Sequence, residues 1–172
     1  MKIKIKEKKG FTLIEFLIYG AIVSLLIGSL VVIGVNVSEG RARIEVMENI
    51  NYDAGVAFSR ITYYIRRAEG VNNLNPGEEA DELSLEMSSS DMNPTIFAVN
   101  EEGGLILKVG DNDSARLTGS NIEVTSLIFT NLSGGKNKET VRVEMSLKYK
   151  NPLGREDYNF EETFYITETI KK

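Results

Sequence analysis

The 172 residues carry 20 Lys and Arg against 25 Asp and Glu, a formal net charge of −5, with no histidine and no cysteine. That composition excludes disulfide staples, thiol nucleophiles and the His/Cys ligand sets of zinc sites. The length suits one membrane anchor and one modest domain.

The chain opens on a lysine-rich tip: Lys2, Lys4, Lys6, Lys8 and Lys9, opposed only by Glu7. At Gly10-Phe11 the chemistry reverses. From Phe16 to Ser38 there is no charged residue. A helix needs roughly 20 apolar residues to span a bilayer. The apolar core of a cleaved signal peptide runs to only about 7–15, and no Ala-x-Ala pattern follows this run. A membrane helix is therefore expected here. Lysines precede it and only Arg41 and Arg43 closely follow it, which puts the N-terminus in the cytoplasm and the remainder outside.

Glu15 lies inside the apolar run. A carboxylate there costs a few kcal/mol at the bilayer centre, less near the interface. Either it stays wet beside the headgroups or it has a cationic partner. No lysine or arginine lies within the span. A cut after Gly10 gives Phe11 a free α-amine, cationic near neutral pH. That amine lies four residues from Glu15, within reach of it or of a neighbouring copy's carboxylate.

Lys9-Gly10-Phe11-Thr12-Leu13-Ile14-Glu15 resembles the processing signal of bacterial type IV prepilins and type II secretion pseudopilins. The shared features are the glycine before the cut, the phenylalanine after it, the Thr-Leu pair and the glutamate. The likeness covers roughly residues 8 to 35. It implies cleavage between Gly10 and Phe11 by a prepilin peptidase, N-methylation of the new Phe11 amine, and a role for Glu15 in aligning incoming subunits. Loss of residues 1–10 takes a net +4 from −5 and leaves −9. So acidic a body is not expected to bind nucleic acid, where phosphate contacts dominate affinity. Within the stem, Gly20, Ser24 and Gly28 recur every four residues, as do Ala21 and Leu25, a spacing that lets helices approach closely in lipid.

The helix is expected to continue to about Glu69. Met47, Ile50, Ala54, Ala57, Ile61, Tyr64 and Ala68 follow helical spacing, with Val46, Phe58 and Ile65 widening the stripe. Gly40 and Gly55 are weak helix residues that could bend it. Arg66 and Arg67 suit a last turn and Gly70 the position after it. A helix from Phe11 to Glu69 would be roughly 90 Å long at ~1.5 Å per residue. The domains are then a leader 1–10, an apolar half-helix 11–38, an amphipathic half-helix 39–69 and a β-rich head 70–172.

Val71 to Glu82 reads as a polar connector with an acidic run. Strands are expected at Leu83–Met87, Thr95–Val99, Leu105–Val109, Ala115–Leu117, Ile122–Leu132, Thr140–Tyr149 and about Asp157–Thr167. Asn100 to Gly104 and Ser133 to Lys138 read as hairpin tips, and Asn151-Pro152-Leu153-Gly154 as a turn. Val141, Val143, Met145, Leu147 and Tyr149 share one face. In the last strand Tyr158, Phe160, Glu162, Phe164 and Ile166 point one way, and Glu162 suggests a bulge or an edge strand. The order of elements gives an α+β fold: one long N-terminal helix packed on an antiparallel sheet. Pilins and pseudopilins share that layout, and the missing C-terminal cysteine loop resembles W-type minor pilins and J-type pseudopilins.

No enzymatic activity, cofactor or metal is expected. Histidine bases and thiols are missing, and no Gly-rich loop precedes a helix. Gly103-Gly104 and Gly134-Gly135 read as turns. Asp111-Asn112-Asp113 resembles part of a calcium loop but lacks its later glycine and glutamate, and a solvated turn is the simpler account. Lys136 and Lys138 read as solubilising. Three functions remain. The first is a structural minor pilin or pseudopilin at initiation or at the tip of a pilus, competence or type II secretion filament. Its partners would be other pilins, the prepilin peptidase, the inner-membrane assembly platform and membrane lipid. The second is a pilin-like head capturing DNA or a surface ligand, and the third a stand-alone membrane-anchored sensor. The expected location is the inner membrane, single pass with the head outside, then a periplasmic or extracellular filament.

Overall fold

The computed structural model describes residues 10–134, 139–152 and 154–171. The basic leader 1–9 and the tip residues Gly135, Lys136, Asn137 and Lys138, together with Leu153, lie outside the described residues. Helix α1 runs Leu13–Ile65. Nine strands follow: β1 Ala68–Val71, β2 Glu79–Ala80, β3 Leu83–Met87, β4 Thr95–Val99, β5 Leu105–Val109, β6 Ala115–Arg116, β7 Ile122–Asn131, β8 Thr140–Tyr149 and β9 Glu161–Thr169. The fold is α+β, as expected from the order of elements. The strands form two antiparallel sheets rather than one, ordered β1-β3-β4-β5-β6 and β2-β7-β8-β9.

The chain divides into two units, residues 1–41 and 42–172. In the second, α1 buries Ala42, Val46, Ile50, Ala54, Ala57, Ile61 and Ile65. These meet β-strand residues including Leu83, Leu85, Phe97, Phe129, Val143 and Met145 in one core. Alanines along the stripe leave room for close helix–sheet approach, because a methyl group projects least. The stripe is rotated slightly from the spacing read in the sequence. Val46 and Ile65 are fully buried, whereas Met47 is 37% exposed. Tyr64 lies at the margin, its ring edge-on to Phe97 at 5.9 Å. Helical structure continues through Gly40 and Gly55.

The end of α1 corrects one expectation. The helix stops at Ile65, before Arg66 and Arg67, and Gly70 is a strand residue rather than a helix cap. Arg66 leaves the axis to hold Glu168 of β9 through two hydrogen bonds of 2.9 Å. Glu168 raises the guanidinium's pKa, by hydrogen bond first and charge second. Ala68 is buried and β1 pairs with β3, so ladder hydrogen bonds replace another helical turn. A Cβ built on Gly70 would lie 3.3 Å from the Glu86 carboxylate and 3.5 Å from that of Glu139, both ends of flexible side chains, so the position does not require glycine for space.

The polar connector also carries structure. β2 joins the four-stranded sheet, with Glu79 opposite Thr130. Leu74 is buried, and its carbonyl accepts the Asn131 amide at 2.9 Å. Gly77, at φ +88°, gives its N–H to the Asn131 carbonyl, a left-handed turn that favours glycine.

Strand β8 matches its expected bounds, and Val141, Val143, Met145 and Leu147 are fully buried. β9 starts later than expected, because Glu156–Tyr158 forms a 3-10 turn. Its register with β8 runs unbroken from Lys148↔Glu161 to Thr140↔Thr169, so no bulge accompanies Glu162. The edge position was the correct alternative: β9 ends the sheet, and Glu162 is half-buried at its margin. The irregularity falls in β7, between Val124 and Ser126. Asn100 to Gly104 is the expected hairpin, with Gly103 at φ +75°.

Candidate functional site: the N-terminal end of the long helix

Between Gly10 and Gly40 no side chain is buried, and Glu15 is half-buried. Leu13 is 81% and Leu25 76% exposed. Apolar surface left uncovered over that length calls for an apolar surrounding, supplied by lipid or by other chains. By length and composition α1 holds a segment able to cross a membrane.

Gly10 and Phe11 precede the helix in exposed backbone outside any helix or strand, with nothing within 4 Å of a Cβ built on Gly10. A peptide bond so placed is open to a protease. Thr12 closes the helix start. Its hydroxyl oxygen accepts the Glu15 N–H at 3.3 Å, and its carbonyl accepts the Phe16 N–H at 3.2 Å. Thr12-Leu13-Ile14-Glu15 is thus a Ser/Thr-x-x-Glu helix start, a signal present in the sequence and missed there. The Phe11 ring packs on Tyr19 at 5.6 Å between centroids. This contact lays Phe11 back along the helix, toward the turn carrying Glu15.

The Glu15 carboxylate makes no hydrogen bond or ion pair among the described residues. It sits in the first helical turn, where the helix dipole favours a negative charge. Further along, Ser24 returns its hydroxyl to the Ala21 carbonyl at 2.9 Å, and Ser29 to Leu26 at 2.8 Å. Both hydroxyls are satisfied within the helix, which leaves the small-residue positions Gly20, Ser24 and Gly28 without an unmet polar group.

No group of three or more Asp and Glu side chains able to hold a metal occurs among the described residues. Asp111-Asn112-Asp113 is an exposed turn in which Asn112 donates twice to the Val109 carbonyl, at 3.2 and 2.9 Å. No known protein family, curated protein or solved structure matches the chain.

Proposed function

We propose that this chain is a structural subunit of a type IV-like filament, a minor pilin or a type II secretion pseudopilin. The observation that carries this reading is the Glu15 carboxylate, without a partner among the described residues, four residues past the Gly10-Phe11 junction on an apolar helix segment that buries no side chain. Cleavage after Gly10 by a prepilin peptidase frees the Phe11 α-amine and removes the basic leader. The amine, N-methylated, then has one unmet carboxylate nearby in each copy of the chain. An apolar stem with an unpaired carboxylate is costly in hydrocarbon by a few kcal/mol. Pairing it with a neighbour's amine removes that cost at one axial register and no other. The stem's apolar surface is covered by lipid before assembly and by other stems afterwards.

In this reading the chain enters the inner membrane with its N-terminus cytoplasmic, and the assembly platform draws it into a filament outside. The α+β unit of residues 42–172 is the head. Its long helix and β-rich body suit a structural role, and the chain's net negative charge disfavours phosphate contacts. The test is a Glu15→Ala chain expressed as the sole copy. It should be inserted and cleaved yet excluded from filaments. Normal filaments or normal secretion with that chain would overturn the reading.

A further inference from the structure

We infer that a cavity in the head, beside Tyr158, binds an acidic sugar residue. The site is separate from the stem and does not depend on filament assembly. It measures about 230 Å³ and lies between Asn121, the end of β8 at Tyr149, and Lys150, Asn151, Pro152, Arg155 and Tyr158. That volume suits one sugar ring.

The walls are held before any ligand arrives. The Asn151 side chain accepts the Arg155 N–H at 3.1 Å and donates to the Arg155 carbonyl at 2.6 Å and to Asn159 Oδ1 at 2.9 Å. Tyr158 gives its N–H to the Arg155 carbonyl, and Lys150 gives its own to the Asn121 carbonyl at 2.8 Å. These bonds hold the backbone that carries two aromatic rings, Tyr149 and Tyr158, whose centroids lie 5.9 Å apart at 37°. The Arg155 guanidinium stands 4.8 Å over the Tyr158 ring. A preset site loses little entropy on binding.

Three chemistries converge there. The rings offer apolar faces of the kind that meet the C–H face of a pyranose. The Asn121 amide and both tyrosine hydroxyls have no hydrogen-bond partner among the described residues, so they can pair with sugar hydroxyls. The Lys150 ammonium spends one hydrogen on the Glu102 carbonyl at 3.1 Å. Two hydrogens and the full charge remain for a carboxylate. A free inorganic anion would leave the rings unused, and a neutral sugar would leave the cation unused. A pyranose bearing one carboxylate uses all three.

The experiment is ligand-observed NMR on the full chain in detergent micelles. Probes are D-glucuronate, D-galacturonate and N-acetylneuraminate, against D-glucose, D-galactose, acetate and phosphate. At least one acidic sugar should saturate, and bind more tightly than every neutral sugar and simple anion. Tyr158→Ala should weaken that binding about tenfold through lost ring contact, while Tyr158→Phe keeps most of it. Lys150→Met should narrow the preference for the acidic sugar over its neutral counterpart, Arg155 remaining as a second cation at the cavity. Circular dichroism should show each variant folded. Failure of all three acidic sugars to saturate, equal binding of acetate or phosphate, or indifference to Tyr158→Ala in a folded protein would overturn the inference.

Discussion

Glu15 is bound to Thr12 through its backbone N–H, at 3.3 Å, and not through its carboxylate. The two groups of one residue therefore separate by mutation. Thr12→Ala should remove the cap and loosen the first turn, at a cost of about 1 kcal/mol, typical for a lost helix cap. Glu15→Ala keeps the cap, because alanine has the same N–H. Thr12→Ala chains that mass spectrometry shows cleaved at Gly10-Phe11 should still enter filaments, and cleaved Glu15→Ala chains should not. Electron microscopy of sheared filaments, with antibody to the head, distinguishes them. Equal loss in both variants would mean that the helix start, rather than the carboxylate, matters.

A second tie joins the helix to the sheets. The Asp53 carboxylate accepts the Gly119 N–H at 2.6 Å. Asp53→Ala leaves that N–H without its charged acceptor and should cost about 1.5 kcal/mol, the low end for a charge-assisted bond because the site is exposed. Asp53→Asn keeps an acceptor and should cost less. Denaturant unfolding in micelles reads both.

The rotated stripe makes a sharper contrast. Ile50 is fully buried, whereas Met47 is 37% exposed. Ile50→Ala should destabilise the head by about 2–5 kcal/mol, and Met47→Ala by under about 1 kcal/mol. The same unfolding measurement decides. Equal costs would contradict the orientation of α1 on the sheets.

Acid should weaken the connector through Glu78. Its carboxylate accepts the Asn75 N–H at 2.9 Å and the Asn75 side-chain amide at 3.0 Å. The backbone bond first, then the side-chain bond, lower its pKa below 4.5. A lowered folded pKa adds stability above the unfolded value, and that stability is lost as pH falls through the folded one. The wild type should thus lose stability below about pH 4.5. Glu78→Gln should flatten that part of the curve. Thermal unfolding between about pH 3 and 6 measures it.

Much of the molecule is legible in the sequence. The α+β order, the period-two pattern of β8 and the Asn100–Gly104 hairpin all follow from local rules. Where sequence and structure part, tertiary contacts decide. Arg66 suits a helix end by charge, but its partner Glu168 lies on the last strand, 102 residues away. Gly70 looks like a cap because glycine so often is one. It is instead a ladder residue of β1, paired with Glu86 of β3. Glu79 reads as part of a solvated acidic run until Thr130 is placed opposite it. At the N-terminus the residues of the candidate site were legible throughout. Its missed element, the Thr12 cap, is also local and could have been read from the Thr-x-x-Glu spacing. The cavity beside Tyr158 has no such signal, since it forms only when β8 and the Asn151 turn fold together.

The central claim concerns what happens at Gly10-Phe11. Intact-mass and N-terminal peptide mass spectrometry of the chain purified from membranes tests it most directly. The account predicts a mature chain that begins at Phe11 with one methyl group on its α-amine. An intact Met1, or a cut after the apolar run, would contradict it.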